Sequence, residues 1–341
     1  MKTRFLCQLL ETQYPIIQAP MAGGILSADF IAKVCEFGIL GSIPSGYLSL
    51  AQLEASIEAV KSMTDRPFQV NLFVDHSEYP EKIDKPVEVI ELEKSLGIFI
   101  SHDCSLPKLP STSDIIDLII AHQVTAISTT FGVLRDEEYQ RYKKAGGHVM
   151  VTVNSFAEAH KILSADHADM IVYQNALAGG HKGGFNDAEY DIDAVILTLK
   201  KDYPKIPLIK SGGIVNQQDI LLALEQGFDG VQIGTGFLMT QESSASETYK
   251  QALLGLCDDK QLMQTSSITG RKARGIVNEL AMLELSQLPV FPLQHYATKA
   301  IRDHAKNHDL PQYQSLWAGS GAVSITSLPL LEDYMFSLVN G

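Results

Sequence analysis

Eight short apolar runs punctuate the chain: YPIIQAPM (14–21), LGSIPS (40–45), FQVNLFV (68–74), AISTTFG (126–132), HVMVTVN (148–154), MIVYQN (170–175), PLIKSGG (207–213) and GVQIGTGF (230–237). Several are apolar at consecutive positions, the pattern of strands buried on both faces. Between them lie stretches of helical spacing, SADFIAKVCEFG (27–38), LAQLEASIEAVKSM (50–63), SFAEAHKILSAD (155–166) and NQQDILLALEQG (216–227). Ser27, Ser155 and Asn216 stand where an N-cap is wanted, and the first and last of these stretches end on glycine. Eight strand–helix units, most at close to the minimum spacing for a parallel crossover, predict an α/β fold of the (β/α)8 TIM-barrel type.

Two segments break this rhythm. Residues 75–113 carry Pro80, Pro86, Pro107 and Pro110 and read as a long irregular loop with a short helix. Residues 258–341 hold helical patterns interrupted by LPVFPL (288–293) and WAGSG (317–321). The expected division is a barrel over 1–257 and a mostly helical C-terminal module, 258–341, packed on the barrel mouth as a lid.

Barrel chemistry sits at the strand C-termini, so those positions are the candidates. They are Ala19, Pro20 and Met21, then Ser45, Asn71, Thr129, Thr130, Asn154, Gln174, Asn175, Ser211, Gly212, Gly213, Gly234, Thr235 and Gly236. Neutral amides, hydroxyls and glycines equip a site poorly for carboxylate-pair or metal hydrolysis. They suit the edge and faces of a planar heteroaromatic cofactor. SGGI (211–214) and GTGF (234–237) follow strands seven and eight, where backbone N–H groups of barrels cradle phosphate. Met239 stands where a GxGxxG motif would need its last glycine, so a Rossmann dinucleotide site has no support. QNALAGGHKGGF (174–185) places His181 among four glycines after strand six, where it is expected to contact substrate. The other nine histidines are read as solvated or capping residues. TGRKARGIVN (269–278), with Arg271, Lys272 and Arg274, is either a phosphate clamp or a basic surface stretch. Tyr313 and Trp317 either pack the C-terminal module or wall the cavity.

Composition removes other classes. Among 341 residues, 27 Lys and Arg stand against 40 Asp and Glu, a formal net charge of −13, which argues against nucleic-acid or anionic-membrane partners. Cys7, Cys35, Cys104 and Cys257 form no CxxC pair, and the N-terminal apolar run is too short for a signal segment. A cytoplasmic, reducing location is expected.

QAPMAGG (18–24), NLFV (71–74), ALAGGHKGGF (176–185), KSGGI (210–214), QIGTGF (232–237), TGRKARGIVN (269–278) and YQSLWAGSG (313–321), in that order, resemble the class I nitronate monooxygenases. The resemblance implies a TIM barrel binding FMN without covalent attachment. It also implies oxidation of alkyl nitronates such as propionate 3-nitronate by dioxygen to a carbonyl compound and nitrite, a detoxifying reaction. Ala19, Pro20 and Met21 would lie against the flavin ring, and Asn71 and Gln174 on its polar edge or ribityl chain. Gly180, Ser211, Gly212, Gly213, Gly234 and Thr235 would surround the phosphate. His181 matches the active-site histidine, while Tyr313, Trp317 and Ser320 fall on the expected substrate side. Ser320 departs from the usual WAGQG. The partners expected are a small nitronate and dioxygen, and a homodimer is allowed for. The rival is an FMN-dependent enoyl-acyl-carrier-protein or quinone reductase, whose first motif reads QGGM or QGAM. An IMP dehydrogenase-like barrel would need a cysteine after strand six, and no Cys lies between Cys104 and Cys257.

Overall fold

The computed structural model describes residues 2–99, 101–186 and 192–340. The eight expected runs form its barrel strands: Ile16–Gln18, Gly41–Pro44, Phe68–Phe73, Ala126–Thr130, His148–Val153, Met170–Gln174, Leu208–Ser211 and Gly230–Ile233. They pair in parallel in chain order, and the first pairs with the eighth at Ile17↔Gln232. A parallel bridge, Ile17↔Leu40, joins the first strand to the second and closes the ring. No helix among the described residues is long and apolar enough to cross a membrane.

Alternation along the strands divides the core in two. Ile17, Leu40, Ala126, Met150, Met170 and Ile209 gather with Leu6 and Leu10 of the N-terminal helix Lys2–Leu10, which plugs one end of the barrel. The larger cluster lies between the strands and the outer helices. Ser27, Ser155 and Asn216 cap their helices by accepting from the third N–H beyond, as expected. Ser49 does so as well, in a reciprocal box with Gln52 that the sequence analysis did not pick out.

Residues 75–113 are more regular than expected. Lys82–Asp84 and Asp103–Ser105 pair antiparallel on either side of the helix Val87–Ser95. Such three-residue strands are too short to show alternation. The buried Lys85 and Glu93 pair at 2.5 Å beneath them.

The segment beyond residue 257 differs from the expected lid, because it is neither mostly helical nor confined to the mouth. Leu262–Thr265 and Ala273–Ile276 form an antiparallel ribbon that takes up Gly180–His181 as a third strand. The helices Leu293–Ala297 and Lys299–Asn307 follow. The last helix, Leu331–Asn340, packs against the helix Gln217–Glu225 on the barrel flank. Tyr334 meets Phe237 edge-on at 5.3 Å, Phe336 meets Phe37 at 5.7 Å, and the Tyr334 hydroxyl donates to Val215 O. A Cβ at Gly236 would collide with that hydroxyl. The outer helical layer is therefore completed by the chain's C-terminus.

Leu338 is 2% exposed in this seam. Leu338→Ala should lower the unfolding free energy by about 2–4 kcal/mol. Leu197→Ala, at a position 72% exposed, should stay within about 0.5 kcal/mol. Denaturant midpoints of the two variants check this, and equal midpoints would show that the last helix is dispensable.

Candidate active site

A cavity of about 490 Å³ opens at the C-terminal ends of the strands. Its floor is uncharged. Asn71 Nδ2 donates to Ser128 Oγ at 2.9 Å and Thr130 Oγ1 at 3.0 Å, and among the described residues no donor meets its Oδ1. Ala19, Pro20 and Met21 lie along one edge, and Ser211, Gly212, Gly213, Gly234 and Thr235 along another. Gly212 and Gly213 have φ of +107° and +74°, a conformation that side chains resist. A Cβ on Gly234 would meet only Ala19 Cβ at 3.5 Å and Met21 Sδ at 3.9 Å, so the space beside it is bounded by the QAPM segment. The Thr235 hydroxyl accepts from Gly319 N at 3.0 Å, which leaves its proton to donate elsewhere.

The GGHKGGF loop is held along its length. Gln174 Nε2 donates to His181 O at 2.9 Å, while its Oε1 accepts from Gly183 N at 2.7 Å. Glu158, fully buried, accepts from Asn154 N and Ser155 N at its own helix start and from Phe185 N and Asn186 N in the loop. Asn154 Oδ1 takes Gly184 N. The sequence analysis passed over Glu158, since a glutamate three residues after an N-cap serine signals only a capping box.

His181 sits in an aromatic box. Its ring centroid is 5.6 Å from Phe131, 5.7 Å from Phe291 and 5.6 Å from Trp317. Burial, then the guanidiniums of Arg271 and Arg302, push its pKa down to about 3. Thr269 Oγ1 lies 2.9 Å from Nε2 and 3.2 Å from Arg271 O. The single hydroxyl proton goes to the carbonyl, which can only accept, so Nε2 carries the ring proton and Nδ1 the lone pair. An imidazolium is disfavoured.

Of the expected site residues, Tyr313 and Ser320 are not brought to the cavity wall. Tyr313 donates to Glu279 Oε2 at 2.5 Å, at the edge of an apolar cluster beyond it. Ser320 contributes its backbone, donating from N to Leu177 O at 2.9 Å, so its difference from the WAGQG pattern falls off the cavity surface. Trp317, His181 and the residues expected around the flavin line it, whereas the strand-end candidates Ser45, Thr129, Asn154, Asn175 and Gly236 do not. Arg271 and Arg274 form no phosphate clamp there: Arg271 donates to Lys182 O at 3.3 Å and also to Gly184 O, and its guanidinium lies 4.2 Å over the Phe131 ring. Arg274 Nε donates to Ala176 O at 2.9 Å. Both tie down the histidine loop. Unlike the solvated or capped place expected for it, His295 lines the cavity, stacked on Tyr47 at 4.0 Å. Burial, then Arg302, His181 and Lys299, push its pKa down to about 2.

Neutral amides, positive-φ glycines at the seventh strand and a neutral histidine in an aromatic box fit a flavin, the cofactor of a flavin-dependent oxidoreductase. The chain belongs to the nitronate monooxygenase family, whose model matches residues 3–341. A probable nitronate monooxygenase of Staphylococcus saprophyticus is 34% identical over 321 residues, 91% of this chain and 90% of its own. One of Bacillus subtilis is 35% identical over 322 residues, 92% and 91%. Among solved structures, a nitroalkane oxidase from Streptomyces ansochromogenes superposes with a TM-score of 0.83 at 27% identity, covering 98% of both chains. FabK from Thermotoga maritima, with a TM-score of 0.76 at 22% identity over 98% of this chain and 94% of its own, shares the fold. The protein oxidises nitro compounds with a flavin cofactor.

The two depressed histidines predict an acid-side loss of stability. Below pH 6.5 the unfolded chain takes up protons that folded His181 and His295 refuse, so stability is full above 6.5 and falls as pH drops toward 3. Thermal unfolding between pH 7.5 and about 4.5 should show a falling Tm, with a shallower fall in His295→Gln. Equal slopes would clear His295 of any part in it.

Proposed function

We propose that the protein oxidises alkyl nitronates, with propionate 3-nitronate as the representative substrate, by dioxygen to a carbonyl compound and nitrite. The observation that carries this is the electrostatics of the cavity: its only described lining carboxylate is Asp303, which is paired with Lys299. A nitronate is already an anion and needs no proton removed, so it suits a site whose histidine is a weak base. His181 would then wall the aromatic box that positions the substrate rather than deprotonate it, since its Nδ1 lone pair has no proton to offer an anion, and preformed nitronates should be turned over far faster than neutral nitroalkanes.

The flavin is FMN in this proposal, held without covalent attachment. Ser211, Gly212, Gly213, Gly234 and Thr235 supply one phosphate cradle, and Arg271 and Arg274 are engaged with loop carbonyls rather than free to clamp a second nucleotide. Ala19, Pro20, Met21 and Asn71 would meet the ring and its polar edge, and Gly180 the loop side. Gln174, with its amide engaged at both ends, would act on the cofactor by shaping that loop. When bound, FMN supplies the electron acceptor for the nitronate and the path onward to dioxygen. Trp317 and the segment beyond residue 257 form the substrate side. Removing a toxic nitronate inside the cytoplasm is the role this chemistry serves.

Anaerobic addition of propionate 3-nitronate should bleach the flavin, and in air it should release nitrite without NADH. Bleaching by NADH with indifference to nitronate would instead establish the reductase chemistry. Gly234→Leu should strip the cofactor, read as lost absorbance near the flavin bands, because its side chain would enter the space beside Met21. His181→Asn should lower kcat/KM on the preformed nitronate by about tenfold or less if the ring only orients the anion. A profile of kcat/KM free of any histidine step between pH 5 and about 8 would agree with the depressed pKa.

A further inference from the structure

One wall of the cavity lies outside the proposed flavin cradle and acts on His181 only through its charge. The helix Lys299–Asn307 turns Lys299, Arg302, Asp303 and Lys306 toward it, positions i, i+3, i+4 and i+7 of a single face. Three cations there stand against one carboxylate, in a chain of formal net charge −13. Lys299 and Asp303 pair with each other, each side chain 56% exposed. Arg302 differs. Among the described residues it has no salt-bridge partner, and its guanidinium donates to His295 O at 2.5 Å and Thr298 Oγ1 at 3.3 Å and faces His295 Nδ1 at 3.3 Å. All three partners are neutral, so they fix the guanidinium in place, and its charge meets only the field of Asp303, a carboxylate already paired with Lys299.

A second, independent observation points to the same spot. The Tyr47 hydroxyl is buried and has no hydrogen-bond partner, although Tyr47 lines the cavity. Its backbone is held at φ +71°, a strained conformation for a tyrosine, and its ring lies parallel to His295 with an interplanar angle of 4°. Phe291 stands between this group and the histidine box, 5.7 Å from His181 and 6.3 Å from Tyr47. A half-buried guanidinium and an orphaned buried hydroxyl on one wall are costly unless a ligand meets them.

We propose that Arg302 and Tyr47 form an anion subsite that receives a carboxylate carried by the substrate on a short chain, while the nitronate end lies beside His181. A planar carboxylate matches the fork of a guanidinium and can accept the phenol proton as well. The length of the chain is limited because the same cavity holds the flavin. This assignment rests on the nitronate reaction, and it makes Arg302 a determinant of which nitronates are taken.

The test compares kcat/KM for propionate 3-nitronate with that for ethyl nitronate, which lacks the carboxylate, in the flavin-loaded wild type, Arg302→Gln, Arg302→Lys and Tyr47→Phe. The ratio of the two should fall about 10- to 100-fold in Arg302→Gln, less in Arg302→Lys and a few-fold in Tyr47→Phe. Flavin content and Tm are recorded for each variant, and calorimetric titration with succinate should show heat with wild type that Arg302→Gln loses. An unchanged ratio, equal losses on both nitronates, or succinate binding that survives in Arg302→Gln would overturn the subsite. If wild type oxidised neither nitronate, the proposed reaction would fail, and the succinate titration would still decide whether Arg302 binds a carboxylate.

Discussion

Glu158 accepts four backbone N–H bonds, two where its own helix begins and two in the loop that follows the sixth strand. A buried carboxylate is costly unless its lone pairs are filled, and here the filling is done by chain that has no regular structure of its own. The loop's glycines give it the freedom to approach a ligand closely, and that freedom would leave His181 without a fixed position. Glu158 and Asn154 hold one end, Gln174 the middle, and the ribbon strand Ala273–Ile276 the histidine itself. The remaining features of the site presuppose this anchoring. An aromatic box can set the protonation state of a histidine only if the ring stays within it.

The barrel was legible in the sequence because strands buried on both faces leave continuous apolar runs such as HVMVTVN, which surface chain rarely shows. What escaped was partnership between distant segments. The helix Leu331–Asn340 is plainly amphipathic, but amphipathicity names a face and not the surface it meets, so its place in the outer ring could not be read. The ribbon at 262–276 escaped for a related reason, since its third strand is the two residues Gly180–His181.

The site was legible where chemistry is dictated by backbone. Glycines after strands seven and eight announce a close approach, and His181 is marked by its glycine neighbours. His295 carried no such mark, because a lone histidine beside a tyrosine near a proline resembles any surface residue. Its one signal was spacing: with Lys299 and Arg302 it falls at i, i+4 and i+7, the stripe that a helix lays along one face. Arg271 and Arg274 misled in the other direction. Their charge suggested an anion, whereas the structure uses their planar donors on carbonyl oxygens, a use of arginine that composition cannot distinguish.

The position of the closing helix has a consequence for the life of the chain. Leu331, Tyr334, Met335 and Leu338 are buried in the main core cluster against the barrel flank. While those residues are still in the ribosomal exit tunnel, the eight strands can already be out, yet the groove between the first and seventh outer helices stays bare. The nascent protein must therefore wait, with an apolar cleft open to solvent or to a chaperone, until that helix emerges. Emergence of that helix, rather than of the last strand, is the event that lets this barrel finish folding.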